Sequence, residues 1–144
     1  MRDRRKWIGC LAAAIVTSCA EAPEPPRVTV EVHPAGEREG VAPLESGHHL
    51  LRVNRSLALP VDCGPIDGVV AAAAGELTLR IAPTPDGGAC EAADTVLAYT
   101  ATIAGLRPGR YNLRVVHARP GKRSDVVFEH PVLVVGAPER SANE

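Results

Sequence analysis

Carboxylates, histidines and cysteines carry what chemistry this chain can offer. Asp62 and Asp67 bracket Cys63-Gly64-Pro65, and Asp86 and Asp94 bracket the stretch that holds Cys90. Carboxylates gathered in loops are the oxygen-rich setting that calcium prefers, although aspartate is also an ordinary turn former. Paired carboxylates also serve acid–base chemistry, but neither a third group nor a cleft signature accompanies them. The 5 histidines are the other titratable set. His48 and His49 are adjacent, so on a strand they face opposite ways and do not chelate one ion unless the chain bends. His33, His117 and His130 sit near expected strand ends and converge only if those ends meet. Glycine-rich phosphate loops, G-x-S-x-G elbows, H-E-x-x-H pairs and EF-hand spacings do not occur. The expectation is a non-enzyme with no catalytic residues, no metal and no cofactor. A calcium- or zinc-dependent binding protein or hydrolase, built on the aspartates or histidines, is the alternative.

The cysteines are more informative because of where the first pair falls. Arg2, Arg4, Arg5 and Lys6 precede an apolar run from Trp7 to Val16. That run has the length of a signal-peptide core and is too short to span a bilayer. It ends in Val16-Thr17-Ser18-Cys19, an aliphatic residue, two small residues and a cysteine. This resembles the bacterial lipoprotein signal. The resemblance implies removal of residues 1–18 and a diacylglyceryl group on the Cys19 sulfur. It also implies outer-membrane sorting, since Ala20 rather than Asp follows the cysteine. Cys10 competes poorly, with Trp7-Ile8-Gly9 before it. A secreted or periplasmic chain cut after Ala20 is the alternative, because Ser18-x-Ala20 also satisfies the small-residue cleavage rule.

Without the leader, Cys63 and Cys90 are the cysteines left besides Cys19. In an oxidising envelope such a pair reads as a disulfide. Two isolated cysteines lack the C-x-x-C spacing of zinc and redox sites. The only Met and the only Trp leave with the leader, which removes a thioether copper site.

The elements that position these residues are strands. Gly and Pro, at 13 each in 144 residues, disfavour a helical bundle and suit short strands joined by turns. Glu21–Pro26 (EAPEPP) is acidic and proline-rich, so residues 19–26 read as a lipidated cysteine followed by an extended spacer. Residues 137–144 read as a polar tail, which leaves a domain over 27–136. Within it apolar residues recur with period two: Val28-x-Val30-x-Val32, Leu51-x-Val53 continued by Leu57-x-Leu59, Leu77-x-Leu79-x-Ile81 and Leu113-x-Val115. Val69–Ala73 is an alanine-rich candidate strand between two glycines. Val96 with Tyr99, Ala101 and Ile103 makes another. The last runs from Val126 to Val135, interrupted at Pro131 as an edge strand tolerates. Seven short strands with Gly/Pro punctuation predict an all-β, antiparallel sandwich.

Leu106-Arg107-Pro108-Gly109-Arg110-Tyr111 is the most specific string of the domain. Pro108 and Gly109 turn the chain out of the fifth expected strand, and Tyr111 opens the sixth. The string resembles the tyrosine corner of immunoglobulin-like and fibronectin-type-III-like sandwiches. The resemblance implies a Tyr111 hydroxyl bonded to backbone a few residues upstream, with Leu106 and the Tyr111 ring buried. Two departures set the chain apart from antibody-type domains. Leu113 stands where those carry a cysteine, and no core Trp remains after Cys19. Taken with the expected disulfide, the chain looks like the small disulfide-bearing sandwich lipoproteins of bacterial envelopes, whose roles are mostly unknown.

A formal charge of −1 is not that of a nucleic-acid binder. The basic stretch 107–123 is local, and Arg107, Arg110 and Arg114 are its candidate partner-facing residues. The expected partners are a membrane, reached through the lipid on Cys19, and an envelope protein or glycan. The domain itself is expected to be monomeric and non-catalytic.

Overall fold

A computed structural model describes residues 23–34, 41–84 and 90–138. The expected leader, Cys19, Asp86 and residues 139–144 lie outside the described residues. Among those described are eight strands: β1 (Arg27–His33), β2 (Leu44–Gly47), β3 (Leu50–Pro60), β4 (Ile66–Ala73), β5 (Glu76–Pro83), β6 (Asp94–Ala104), β7 (Gly109–His117) and β8 (Asp125–Val134). A single 3-10 turn, Val61–Cys63, follows β3. The strands form two four-stranded sheets, ordered β1-β6-β3-β2 and β4-β5-β7-β8.

The expected seven strands thus become eight. The addition is β2, Leu-Glu-Ser-Gly, which carries one large apolar residue in four and shows no alternation to read. Its pairing with β3 forms it, Leu44 opposite Val53 through Gly47 opposite Leu50. The isolated bridge His48–Val135 is parallel. Among the paired strands the expected antiparallel arrangement is corrected for one pair, β5 and β7, which run parallel from Glu76/Asn112 to Ile81/His117. The reason is topological. After β5 the chain crosses to the other sheet, runs back through β6 and returns, so it re-enters the second sheet from the end at which β5 began.

One apolar core joins the two sheets. Leu51, Val53, Leu57 and Leu59 of β3 and Tyr99, Ala101 and Ile103 of β6 meet Leu77, Leu79 and Ile81 of β5 and Leu113 and Val115 of β7. These are the inward positions of the period-two pattern. At Gly68, β4 packs against side chains of β1 with no room for a side chain of its own. A methyl there would stand 2.8 Å from Val30 Cγ2 and 3.2 Å from both Val28 Cγ2 and Ile81 Cδ1. The alanine-rich segment is a strand because Gly68–Ala73 is in register with Ile81–Glu76. Val69 within it is exposed, as an edge strand permits.

The outer face of the first sheet carries a buried polar row. Thr100 donates to Asn54 Oδ1 at 2.8 Å, His33 Nε2 meets the Thr100 hydroxyl at 3.1 Å, and Asn54 Nδ2 donates to the Ala42 carbonyl at 2.8 Å. Ala42 is thereby tied to this face, and the row satisfies its own buried polar groups.

Candidate functional site

Two places, one at each end of the sheets, hold most of the residues that the sequence singles out, and a third stands apart from them. At one end of the sheets Cys63 and Cys90 form the expected disulfide, with Cα atoms 4.7 Å apart. Asp62 organises the segment beside it. Its Oδ2 accepts the Glu91 N–H at 3.0 Å, and both its oxygens accept the Ala92 N–H at 3.2 Å. Asp67 accepts the N–H of Gly68 at 2.7 Å, and Asp94 opens β6. Two of the candidate calcium ligands thus bond backbone. The histidines are dispersed: His33 on the outer polar row, His117 in the core and His130 stacked on Phe128. Among the described residues no group of three His, Cys, Asp or Glu is placed to hold a metal ion.

At the opposite end lies the corner. The Tyr111 hydroxyl donates to the Arg107 carbonyl at 2.9 Å, four residues upstream. Leu106 is buried, whereas the Tyr111 ring is only half-buried. Residues Pro23–Pro25 pass beside Leu106 and Arg107, lining with them a shallow cleft of about 450 Å³. His49, in the left-handed region at φ 57°, closes the β2–β3 turn and ties three segments together. Its Nδ1–H donates to the Leu106 carbonyl at 3.0 Å, and its Nε2 accepts the Ala137 N–H at 3.2 Å. His48 Nδ1 donates to the Gly136 carbonyl at 2.7 Å. The adjacent histidines are therefore clasps that hold the corner and the end of β8.

The arginine group divides. Arg114 pairs with Glu129 at 3.6 Å, and Asn112 donates to the same carboxylate at 3.0 Å. The Asn112 hydrogen bond first, and the Arg114 charge second, hold the Glu129 carboxyl below its ordinary value. Arg107 and Arg110 form no ion pair among the described residues, and both are exposed at the corner end.

The third place is one that the sequence reading passed over. Arg55 lies on the inward parity of β3, between Val53 and Leu57. Its guanidinium sits 3.9 Å above the centre of the Phe128 ring. Its Nε is buried and has no hydrogen-bond partner. Among the described residues Arg27, Arg52, Arg114 and Arg119 each hold a carboxylate, and Arg55 does not. Beyond it the Tyr99 hydroxyl meets His117 Nε2 at 2.7 Å, with the two rings edge to face. Burial pushes the Tyr99 phenol far above its ordinary value, against a smaller opposing pull from Arg55. The hydroxyl therefore keeps its proton. Burial first, then the charges of Arg119 and Arg55, hold His117 below its ordinary value against the opposing charge of Asp125. His117 is thus held neutral, its Nε2 in a hydrogen bond with the Tyr99 hydroxyl.

A buried donor with no acceptor costs about 1–3 kcal/mol, and a guanidinium over an aromatic face returns about 0.5–2 kcal/mol. Arg55 is left with unused capacity for an anion. The signal was present in the alternation itself, because Leu51, Val53, Leu57 and Leu59 fix the inward parity and Arg55 falls on it.

Comparison with known proteins gives no relative to lean on: no family model, no curated protein and no solved structure matches this chain.

Proposed function

We propose that this protein is a lipid-anchored, non-catalytic binding module of a bacterial cell envelope, in which an immunoglobulin-like or fibronectin-type-III-like sandwich meets a protein or glycan partner. The observation that carries the binding role is Arg55, an inward-facing cation without a carboxylate at the margin of the two sheets. An unpaired, partly desolvated charge is a cost, and a partner's carboxylate would relieve it.

The lipid anchor rests on Val16-Thr17-Ser18-Cys19 at the end of the apolar run. Pro23, four residues after that cysteine, lines the cleft at the corner end together with Arg107. Anchoring at Cys19 turns this end toward the bilayer, brings Arg107 and Arg110 near lipid headgroups, and holds the disulfide end away from it. The Tyr111–Arg107 hydrogen bond supports the immunoglobulin-like reading of the fold, with a strand order of its own through the parallel β5–β7 pair.

The test is a purification of the native protein from detergent-solubilised envelopes after mild crosslinking, with the mature N-terminus read by mass spectrometry. A chain beginning at diacylglyceryl-modified Cys19, crosslinked to a recurrent partner, is expected. An unmodified chain beginning at Glu21 overturns the anchor, and a consistently lone monomer overturns the binding role.

A further inference from the structure

The first sheet has its fourth strand along only part of its length. β2 pairs with Leu50–Val53, and the Pro43 carbonyl accepts the Asn54 N–H at 3.0 Å. From Arg55 to Pro60, β3 has no strand on that side among the described residues. Backbone groups alternate sides along a strand. Since the Asn54 N–H points toward β2, those of Ser56 and Ala58 point the same way, out of the open edge. Both residues are exposed. Pro60 brings no N–H and ends the edge.

Arg55 stands directly inside this opening, on the face that looks toward Phe128 of β8. A strand laid beside β3 places its inward side chains opposite Arg55, at the roughly 4.5–5.5 Å spacing of cross-strand neighbours. We infer that the open edge of β3 receives an extended peptide segment bearing a carboxylate. The segment continues the line of β2, its backbone bonds to Ser56 and Ala58, and its inward Asp or Glu pairs with the Arg55 guanidinium. Backbone pairing supplies the attachment, as in other strand-addition complexes, and the carboxylate supplies the selection. This names the partner surface of the binding module proposed above and rests on that reading.

An inward charge on an edge strand has a second use, which is to repel every incoming strand. The two roles differ in what they admit. A guard excludes all strands, and its loss makes the edge self-associate. A receptor admits a strand that brings the opposite charge.

The probes are two labelled synthetic peptides alternating threonine and valine, one with a central glutamate and the other with glutamine in its place. They are titrated against the lipidated mature chain in detergent, with binding read by fluorescence anisotropy and backbone protection by hydrogen exchange. The glutamate peptide is expected to bind at least tenfold more tightly and to slow exchange at Ser56 and Ala58. Arg55→Gln is expected to abolish the preference, and Arg55→Lys, which keeps the charge, to retain part of it. Equal binding of the two peptides, or no binding of the glutamate peptide at millimolar concentration, overturns the inference. So does an Arg55→Gln chain that dimerises without the wild type showing a preference, since Arg55 is then a guard only. An envelope partner that crosslinks equally well to the Arg55→Gln chain overturns this edge and leaves the binding module standing.

Discussion

His117 shows how one side chain reports the state of the core. It shares a hydrogen bond with the Tyr99 hydroxyl in a place where burial disfavours its own charge. The unfolded chain therefore takes up a proton at its ordinary value near pH 6.5, while the folded chain resists until lower pH. The contribution of this site is complete above the ordinary value and is lost as pH falls from there toward the lowered one. Denaturant melts between pH 8 and pH 5 should show stability declining on the acid side, and His117→Gln should flatten that decline. An unchanged pH profile in the variant would remove His117 as its source. The residue scale is also where the sequence was hardest to read. Cys63 and Cys90 were legible as a pair because nothing else remained for either to do. Arg55 was not, because an arginine between Asn54 and Ser56 looks like ordinary surface, and only parity with Leu51 and Leu57 marks it as inward.

Among the elements, strands announced themselves where one face is buried and the other solvated. β3, β5 and β7 alternate because they lie over the shared core. β2 is invisible for the same reason, being too short to show a period and held by its neighbour. The β4–β5 hairpin adds a local cost. Its turn is Ala74-Gly75, with φ of 45° and 84°, so both residues take the left-handed conformation of a type I′ turn. Gly75 adopts it freely, whereas Ala74 carries a Cβ that disfavours it by roughly 1–2 kcal/mol. Ala74→Asn, suited to that position, should raise stability by about 1 kcal/mol without altering the strand register. Urea denaturation of the two chains measures it, and an equal or lower midpoint would count against the turn as a source of strain.

Across the whole molecule, one end is held by a covalent bond and the other by hydrogen bonds. The disulfide joins the turn after β3 to the segment before β6, so it closes a loop containing β4 and β5. Crosslinking across a loop of that size restricts the unfolded chain by about 3–4 kcal/mol on the entropy estimate. The Cys63→Ala/Cys90→Ala double variant should lose about that much in equilibrium unfolding, or somewhat less if the unfolded chain retains structure. A loss well below 1 kcal/mol would show that Asp62 and the β3–β6 pairing hold this end unaided. The two-layer design was legible from the period-two runs and the corner string. The parallel pair was not, because no local pattern records which strand lies beside which once the chain has crossed between sheets.

The corner end also determines how the domain bears load. Under the proposed anchoring at Cys19 and docking on β3, any pull between the two would enter at Pro26 and leave through Ser56 and Ala58. β6 lies between β1 and β3, paired with β1 from Arg27/Ala104 to His33/Ala98 and with β3 from Leu50/Ala104 to Pro60/Asp94. Tension directed away from the membrane runs along these strands and loads their hydrogen bonds side by side, in shear. Peeling would break the same bonds one after another. The proposed anchor, entering β1 at this end, would give a tether that resists stretching as a sheet does along its strands.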